Sequence, residues 1–423
     1  MVSLESVIGR NRKDLEKFGL KGSGFIGKHL VIREYDWVLT TKVYFELLRP
    51  HVMLISGKRG TGKSYASGVI IESFCMLPDE IRNKMAFIVF DPIGIYWSMK
   101  YPNEQQLSLL KEWNLEPKGF ADKILLYVPE KQIDEYKKAG LPVDGGISIA
   151  LKDFSVDDWI LAFGWKRTDE IALVLEKNLT ELLKTGKEFD VNDLIEKIRN
   201  DNEAKDEIKK ALVSILRVVD EWGIFSKKGK KIDEIVEPGK VVIIDTSRIK
   251  ETAIQAMLAA KITRDVYFNR VLARKEEELA KIEDREPTYK FPLTWLIFEE
   301  AHNYIPSERE TVSTQPILTI AKQGREPGVS LVVITQMPNK IHREVLAQTD
   351  IVLSLRLTAK SDLDALHSIM QTYMESDLEQ YMNKLPRIHG AAIVLDDNQE
   401  RIFSMVVRPR VSWHAGGTAL VNI

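Results

Sequence analysis

His51-Val-Met-Leu-Ile-Ser-Gly57-Lys-Arg-Gly-Thr-Gly62-Lys63-Ser64 is the stretch that decides the fold. Four apolar residues, Val52 to Ile55, lead straight into a full G-x-x-x-x-G-K-[ST] pattern. A buried strand ends there, and the glycines let the backbone fold over with its N–H groups turned inward. A helix starting near Gly62 then aims its positive end at the same point. Such a loop cradles the phosphates of a nucleotide, so Gly57, Lys58, Arg59, Gly60, Thr61, Gly62, Lys63, Ser64 and the adjoining Tyr65 are the candidate ATP-binding residues. Lys63 is expected to reach the β and γ phosphates and Ser64 to ligate Mg²⁺.

Five further apolar runs follow the first: Phe87–Phe90, Val241–Ile244, Leu293–Phe298, Leu331–Ile334 and Ile351–Leu353. Runs this short and this apolar, with helical stretches between several of them, predict strands buried on both faces and hence a parallel α/β sheet. Residues 1–48 carry five glycines and an alternating stretch from His29 to Phe45, which reads as a small β element. The remainder, 49–423, reads as one core with a helical subdomain inserted at about 157–226, where Ile171 to Leu183 and Ile208 to Val219 keep helical spacing.

A phosphate loop needs acidic partners at the end of another buried strand. Leu293–Phe298 ends in Glu299-Glu300, which assigns Glu299 to the metal side through water and Glu300 to the general base. A solvated acidic helix start is the other reading of this pair. Leu331–Ile334 runs into Thr335-Gln336, and ligands of open α/β sheets bind outside the carboxyl ends of strands, so Gln336 is a candidate for touching the γ phosphate or the attacking water. Arg325 lies in the loop Gln323–Gly328. Its fixed fork suits a developing phosphoryl charge, and a loop position lets it reach a neighbouring subunit's site. A turn residue and a plain surface arginine are the competing readings of these two.

Composition narrows the partners. The 423 residues hold 60 Lys and Arg against 62 Asp and Glu, for a formal charge of −2, so any polyanion must be met by a local patch. The one cysteine, Cys75, leaves no internal disulfide and fits a reducing, cytoplasmic setting. No apolar run reaches the roughly 18 residues a membrane span requires.

Taken together, these segments resemble the HerA-like branch of the HerA/FtsK superfamily of ring-forming, ATP-driven DNA pumps. The stretches that carry the resemblance are Gly57–Ser64, Phe90-Asp91-Pro-Ile-Gly94-Ile-Tyr96, Phe298–Asn303, Gly324–Ser330, Val333–Gln336, and the tail Val407–Arg410 to His414–Gly417. The resemblance implies a RecA-like P-loop NTPase of the additional-strand type, with the strand ending in Gln336 lying between the P-loop strand and the Glu299-Glu300 strand. It also implies Arg325 as a finger acting in trans, a homo-hexamer around duplex DNA, and a nuclease partner of the NurA type in DNA end processing. The family often reads Asp-Pro-His-Gly-Glu-Tyr where this chain has Ile93 and Ile95, and its N-terminal barrel is longer than the 48 residues found here.

Two readings of function stay open at this level. One is an ATP-driven translocase or helicase acting on double-stranded DNA. The other is a nucleotide-switched regulatory or assembly ATPase of a mobile-element or defence system, which binds a protein partner without pumping. For the first, Lys166 and Arg167, at the start of the helical insert, are candidate DNA contacts, with a solvated helix start as the alternative.

Overall fold

Each of the six apolar runs forms a strand in the computed structural model, which describes residues 6–33, 36–357, 359–367, 369 and 381–417. The outer ends of the two expected units, 1–5 and 418–423, lie outside the described residues. Eight strands run parallel in the order Ile351–Leu355, Val52–Ser56, Val329–Thr335, Leu293–Phe298, Met85–Asp91, Val241–Asp245, Ile124–Pro129, Gly145–Ile147. The expected additional strand is present: Val329–Thr335 separates the P-loop strand from the Glu299-Glu300 strand. This is the α/β, RecA-like P-loop arrangement.

The apolar runs are continuous because both faces are covered. Successive residues of one strand serve opposite cores. Met53, Ile55, Phe87, Val89, Trp295 and Ile297 pack with Ala66, Val69, Ile70 and Phe74 of the helix Lys63–Cys75. Leu54, Ile88, Phe90, Leu296 and Phe298 turn the other way, toward Ile254, Leu258 and Ile262 of the long helix Thr252–Ile282 and Ile317 and Ile320 of the helix Thr314–Gln323. Phe74, Phe87 and Trp295 stack in sequence, with ring centroids 4.2 and 5.4 Å apart. Parallel pairing in register also brings Ser56, Thr335, Phe298, Asp91 and Asp245 to one edge of the sheet.

Residues 1–48 do form strands, Ser6–Ile8, Ser23–Ile32 and Trp37–Glu46, but these extend the core sheet. Ser23–Ile32 pairs antiparallel with Arg401–Val407, which pairs with Ala391–Asp396 and so with Ile351–Leu355. The segment also contains a helix, Arg12–Phe18, that the sequence did not suggest; at seven residues it is too short for a periodic signal. The insert consists of the helices Val156–Phe163, Glu170–Lys184, Val191–Arg199 and Asp206–Glu221. Its base is closed by a two-stranded parallel pairing of Ile149–Ala150 with Phe225–Ser226. No described helix is long and apolar enough to cross a membrane.

The tail is fastened to the helix that follows the phosphate loop. Glu72, fully buried, accepts from Arg408 Nη1 at 2.6 Å, Ser412 N at 2.8 Å and Ser412 Oγ at 2.6 Å, and lies 3.6 Å from Arg410 Nε. Gly68 makes room for this, since a Cβ there would sit 2.8 Å from Arg410 Cζ. Removing one partner of a buried ion pair leaves the other charged and out of water, which costs roughly 3 to 5 kcal/mol. Glu72→Ala should therefore lower the denaturant midpoint markedly and Glu72→Gln, which keeps an acceptor, less so. An unchanged midpoint in Glu72→Ala would mean that apolar contacts alone hold the tail.

Candidate functional site

The P-loop strand ends at Ser56, whose hydroxyl donates to Ser354 Oγ at 3.1 Å on the neighbouring strand. The chain must then turn tightly. At Gly57 a Cβ would lie 2.6 Å from Thr61 Oγ1 and 2.9 Å from Leu355 Cβ, so only glycine fits the approach. Lys58 N donates to Arg356 O at 3.0 Å, and Lys58 O accepts from Thr61 Oγ1 at 2.7 Å. Gly62, at φ 100° and ψ 25°, starts the helix in a conformation costly for other residues. Arg59 to Tyr65 line a cavity of about 810 Å³, while Gly57 and Lys58 form the turn behind it.

Glu299, Glu300 and Gln336 line the same cavity, so the structure brings together the acidic pair, the amide and the phosphate loop. Glu299 is fully buried, and burial raises its carboxyl to about 6. Its two oxygens are held separately. Ser64 Oγ donates to Oε1 at 2.9 Å and Tyr96 Oη to Oε2 at 2.6 Å. Tyr96 in turn is placed by Asp91, whose oxygens accept from the backbone of Ile93, Gly94, Ile95 and Tyr96 at 3.2, 2.7, 2.7 and 2.9 Å. Burial, with the Asp245 carboxylate alongside, raises Asp91 to about 7.

Glu300 is different. Its backbone is left-handed, φ 50° and ψ 50°, an unfavourable state for a residue with a side chain, of the kind that collects at functional sites. Its buried Oε2 has no hydrogen-bond partner among the described residues, although His302 Nδ1 stands 3.4 Å away. Burial lowers His302, with Glu300 pulling the other way. Burial also lowers Lys63, while Glu300 and Glu299 act to restore its charge.

These residues fit a polyphosphate with a divalent ion. The loop supplies backbone N–H groups and Lys63, Ser64 and Glu299 form an oxygen pair on the metal side, and the unpartnered Glu300 oxygen can accept a proton from water. Ile93 and Ile95 also line the cavity and give it two apolar groups.

Three sequence candidates lie elsewhere. Arg325 is exposed and precedes Val329–Thr335, whose far end leads to Gln336. Seven residues at ~3.3 Å each separate the two ends by about 23 Å, beyond an arginine's reach. Lys166 is exposed in the insert, and Arg167 is paired with Asp157 and, at 2.9 Å, with Glu176.

Sequence reasoning missed two features of the site. Tyr96 belongs to a segment that carries the family resemblance, yet its role is not readable from the sequence; its spacing from Asp91 is the available signal. The second is the wall opposite the phosphate loop, formed by Gln106, Leu109, Trp113, Pro409 and His414. It is braced by Tyr65, whose hydroxyl donates to Gln106 Oε1 at 2.8 Å and accepts from Arg410 N at 2.7 Å. Burial and the Arg410 charge push His414 down to about 3, so it stays neutral and accepts from Arg410 Nη1 at 3.0 Å.

Residues 26–266, more than half of the chain, match the family described as the central domain of the helicase HerA. The chain is 24% identical over 324 residues to the DNA double-strand break repair helicase HerA of Sulfurisphaera tokodaii, covering 76% of this chain and 58% of that one. Against the protein of the same name from Saccharolobus solfataricus it is 23% identical over 349 residues, covering 81% and 61%. A shorter match, 30% identical over 146 residues, joins it to the Pyrococcus furiosus protein, 30% of this chain and 26% of that one. The matches thus span less than two thirds of these relatives' own lengths. Among solved structures, VirB4 of Thermoanaerobacter pseudethanolicus shares the fold, with a TM-score of 0.54 at 13% identity over 92% of this chain and 98% of that one. The chain belongs to the HerA helicase central-domain family.

Proposed function

We propose that the protein is an ATP hydrolase of the HerA type that couples turnover to movement along double-stranded DNA. The observation that carries the hydrolase reading is the convergence of the phosphate loop, the Ser64–Glu299 pair and the unpartnered Glu300 oxygen on one cavity. Bound ATP supplies the cleavable phosphoanhydride; Ser64 and Glu299 would hold a Mg²⁺ and its water, and that ion would offset the phosphate charge. Lys63 binds the phosphates, Glu300 takes the proton of the attacking water, and Gln336 orients that water. DNA as the substrate is inferred from the helicase names of the relatives, and a NurA-type nuclease partner is what the family resemblance implies.

The reading includes a ring of identical subunits, six by family resemblance, and the exposed position of Arg325 supports it. Arg325 lies beyond the end of Val329–Thr335 opposite to Gln336, which favours action at a neighbour's cavity over its own. Phe268, Leu272, Leu279 and Ile282 are exposed on the long helix. Tyr267 of the same helix donates to Gln323 Oε1 at 2.8 Å, two residues before Arg325, so apolar surface lies close to the finger. In the same reading residues 1–48 are a reduced form of the family's barrel, 49–423 is the motor core, and the setting is cytoplasmic.

Lys63→Ala should abolish ATP binding, whereas Glu300→Gln should keep binding and lower turnover about 100-fold or more. Nucleotide affinity and steady-state hydrolysis, measured on both variants with and without duplex DNA, check this. Equal loss of binding in both would make Glu300 structural, and a wild-type turnover indifferent to DNA would favour the protein-partnered switch.

Mixing Arg325→Ala subunits with Glu300→Gln subunits should restore turnover that neither shows alone, because some junctions then hold an intact Arg325 and an intact Glu300. An arginine of this kind is worth about 10³ to 10⁵ in rate, so the recovery is measurable. No recovery in verified mixed assemblies would count against the finger.

The ionised form of Glu299 is the one that holds the metal's water, so turnover limited by it declines as pH falls through about 6. Tyr96 donates to that ionised form and lowers the midpoint; Tyr96→Phe should therefore move the acid limb of the pH–rate profile to higher pH. An unmoved limb would show that another group sets it.

A further inference from the structure

Several cations in and beside the helical insert are held in ion pairs. Lys177 is held by Asp201 and Glu203 at 2.8 and 2.7 Å, Lys197 by Glu181 at 2.6 Å, Lys205 by Glu170 at 2.5 Å, Lys227 by Asp193 at 3.0 Å, and Arg167 by Asp157 and Glu176. Of the insert's cations without an ion pair among the described residues, three share one groove. A cavity of about 430 Å³ runs between the end of Val191–Arg199 and the helix Asp206–Glu221, and it is lined by Arg199, Lys209, Lys210, Ser214 and Arg217. Arg199, Lys210 and Arg217 are exposed and make no ion pair among the described residues. The only carboxylate in the lining, Asp206, is taken by Lys209 at 2.8 Å. Glu221, one turn beyond Arg217, does not line the groove.

The spacing is ordered. Lys210, Ser214 and Arg217 recur at i, i+4 and i+7, which places them along one face of the helix, while Val213 between them is buried beneath. From Lys210 to Arg217 the helix rises about 10 Å, and Arg199 faces this row from the neighbouring helix. That length is too great for one phosphate and matches about three nucleotides of a B-form strand at ~3.4 Å each along the axis. No aromatic ring and no amide lines the groove, so it has cations and a hydroxyl for a backbone and nothing to read a base.

We propose that this groove binds the phosphate backbone of duplex DNA, with Arg199, Lys210 and Arg217 as its phosphate contacts and Ser214 as a neutral donor. The proposal rests on the DNA-motor reading above and supplies a contact surface distinct from Lys166 and Arg167, where the arginine is already neutralised. A row of unpaired cations gathered in one groove is what charge complementarity to a polyanion requires in a chain of net charge −2.

The test is duplex binding as a function of salt, by fluorescence anisotropy with a labelled duplex of arbitrary sequence. The proteins compared are the wild type, the single variants Arg199→Ala, Lys210→Ala and Arg217→Ala, their triple combination, and an Arg12→Ala/Lys138→Ala/Lys187→Ala control with the same change in charge. The log–log salt slope should become shallower by about 0.9 for every phosphate no longer neutralised, hence by two to three in the triple variant and by none in the control. Shifts should be equal on duplexes of different sequence. A triple variant that keeps the wild-type affinity and slope overturns the groove while leaving the DNA reading intact. A wild type that binds no duplex at low salt overturns both. Loss of binding to poly-glutamate in the triple variant without loss of DNA binding would assign the groove to an acidic protein segment and overturn the proposal.

Discussion

Glu299 is a carboxylate removed from water, and removing one costs several kcal/mol unless its oxygens find donors. Each donor comes from a different part of the chain, Ser64 from the start of the P-loop helix and Tyr96 from the loop after Met85–Asp91. The strand order makes this possible, since Met85–Asp91 is the direct neighbour of Leu293–Phe298, and Val52–Ser56 lies one strand beyond on the other side. Asp91 adds a second layer by gathering four backbone N–H groups, which fixes where the Tyr96 hydroxyl points. A shift in any of these strands would leave Glu299 buried without a partner, so the register of the sheet and the geometry of the metal side are one constraint.

The sequence made the centre of the sheet legible and the periphery opaque, for physical reasons. Val52–Ile55 and Leu293–Phe298 are read easily because burial on both faces forces an apolar residue at every position. Ile124–Pro129 carries a tyrosine and ends in proline, Gly145–Ile147 has three residues, and Arg401–Val407 begins with partly exposed residues, so none of the three gives that signal. The clamp on Glu72 was beyond reach for another reason. Its partner Arg408 is 336 residues away, and nothing local marks a glutamate in an otherwise small and apolar helix as the anchor of a tail.

Within the site, the residues found from sequence were those whose chemistry is tied to local spacing. Lys63 and Ser64 belong to a loop motif, and Glu299 and Glu300 to a strand end. Tyr96 acts through a carboxylate 203 positions away, and the wall of Gln106, Trp113 and His414 is assembled from two distant segments. Their roles appear only when the tail is folded back over the P-loop helix by Glu72. That fold-back leaves Arg410 buried and its charge shared between Glu72 and the neutral His414, a cation held close to the nucleotide cavity without lining it.

Parallel strands also decide which groups can cooperate within one subunit. Every group at a carboxyl end, Ser56, Glu299, Glu300, Gln336 and Asp91, shares one edge, and every group that precedes a strand sits at the other. Arg325 precedes Val329–Thr335, and Gln336 follows it, so the same strand leads to the amide at one end and from the arginine at the other. Any displacement of that strand relative to its neighbours moves both together. The strand between them is a rigid element of seven residues, about 23 Å long, and the loop Gln323–Gly328 joins it to Arg325.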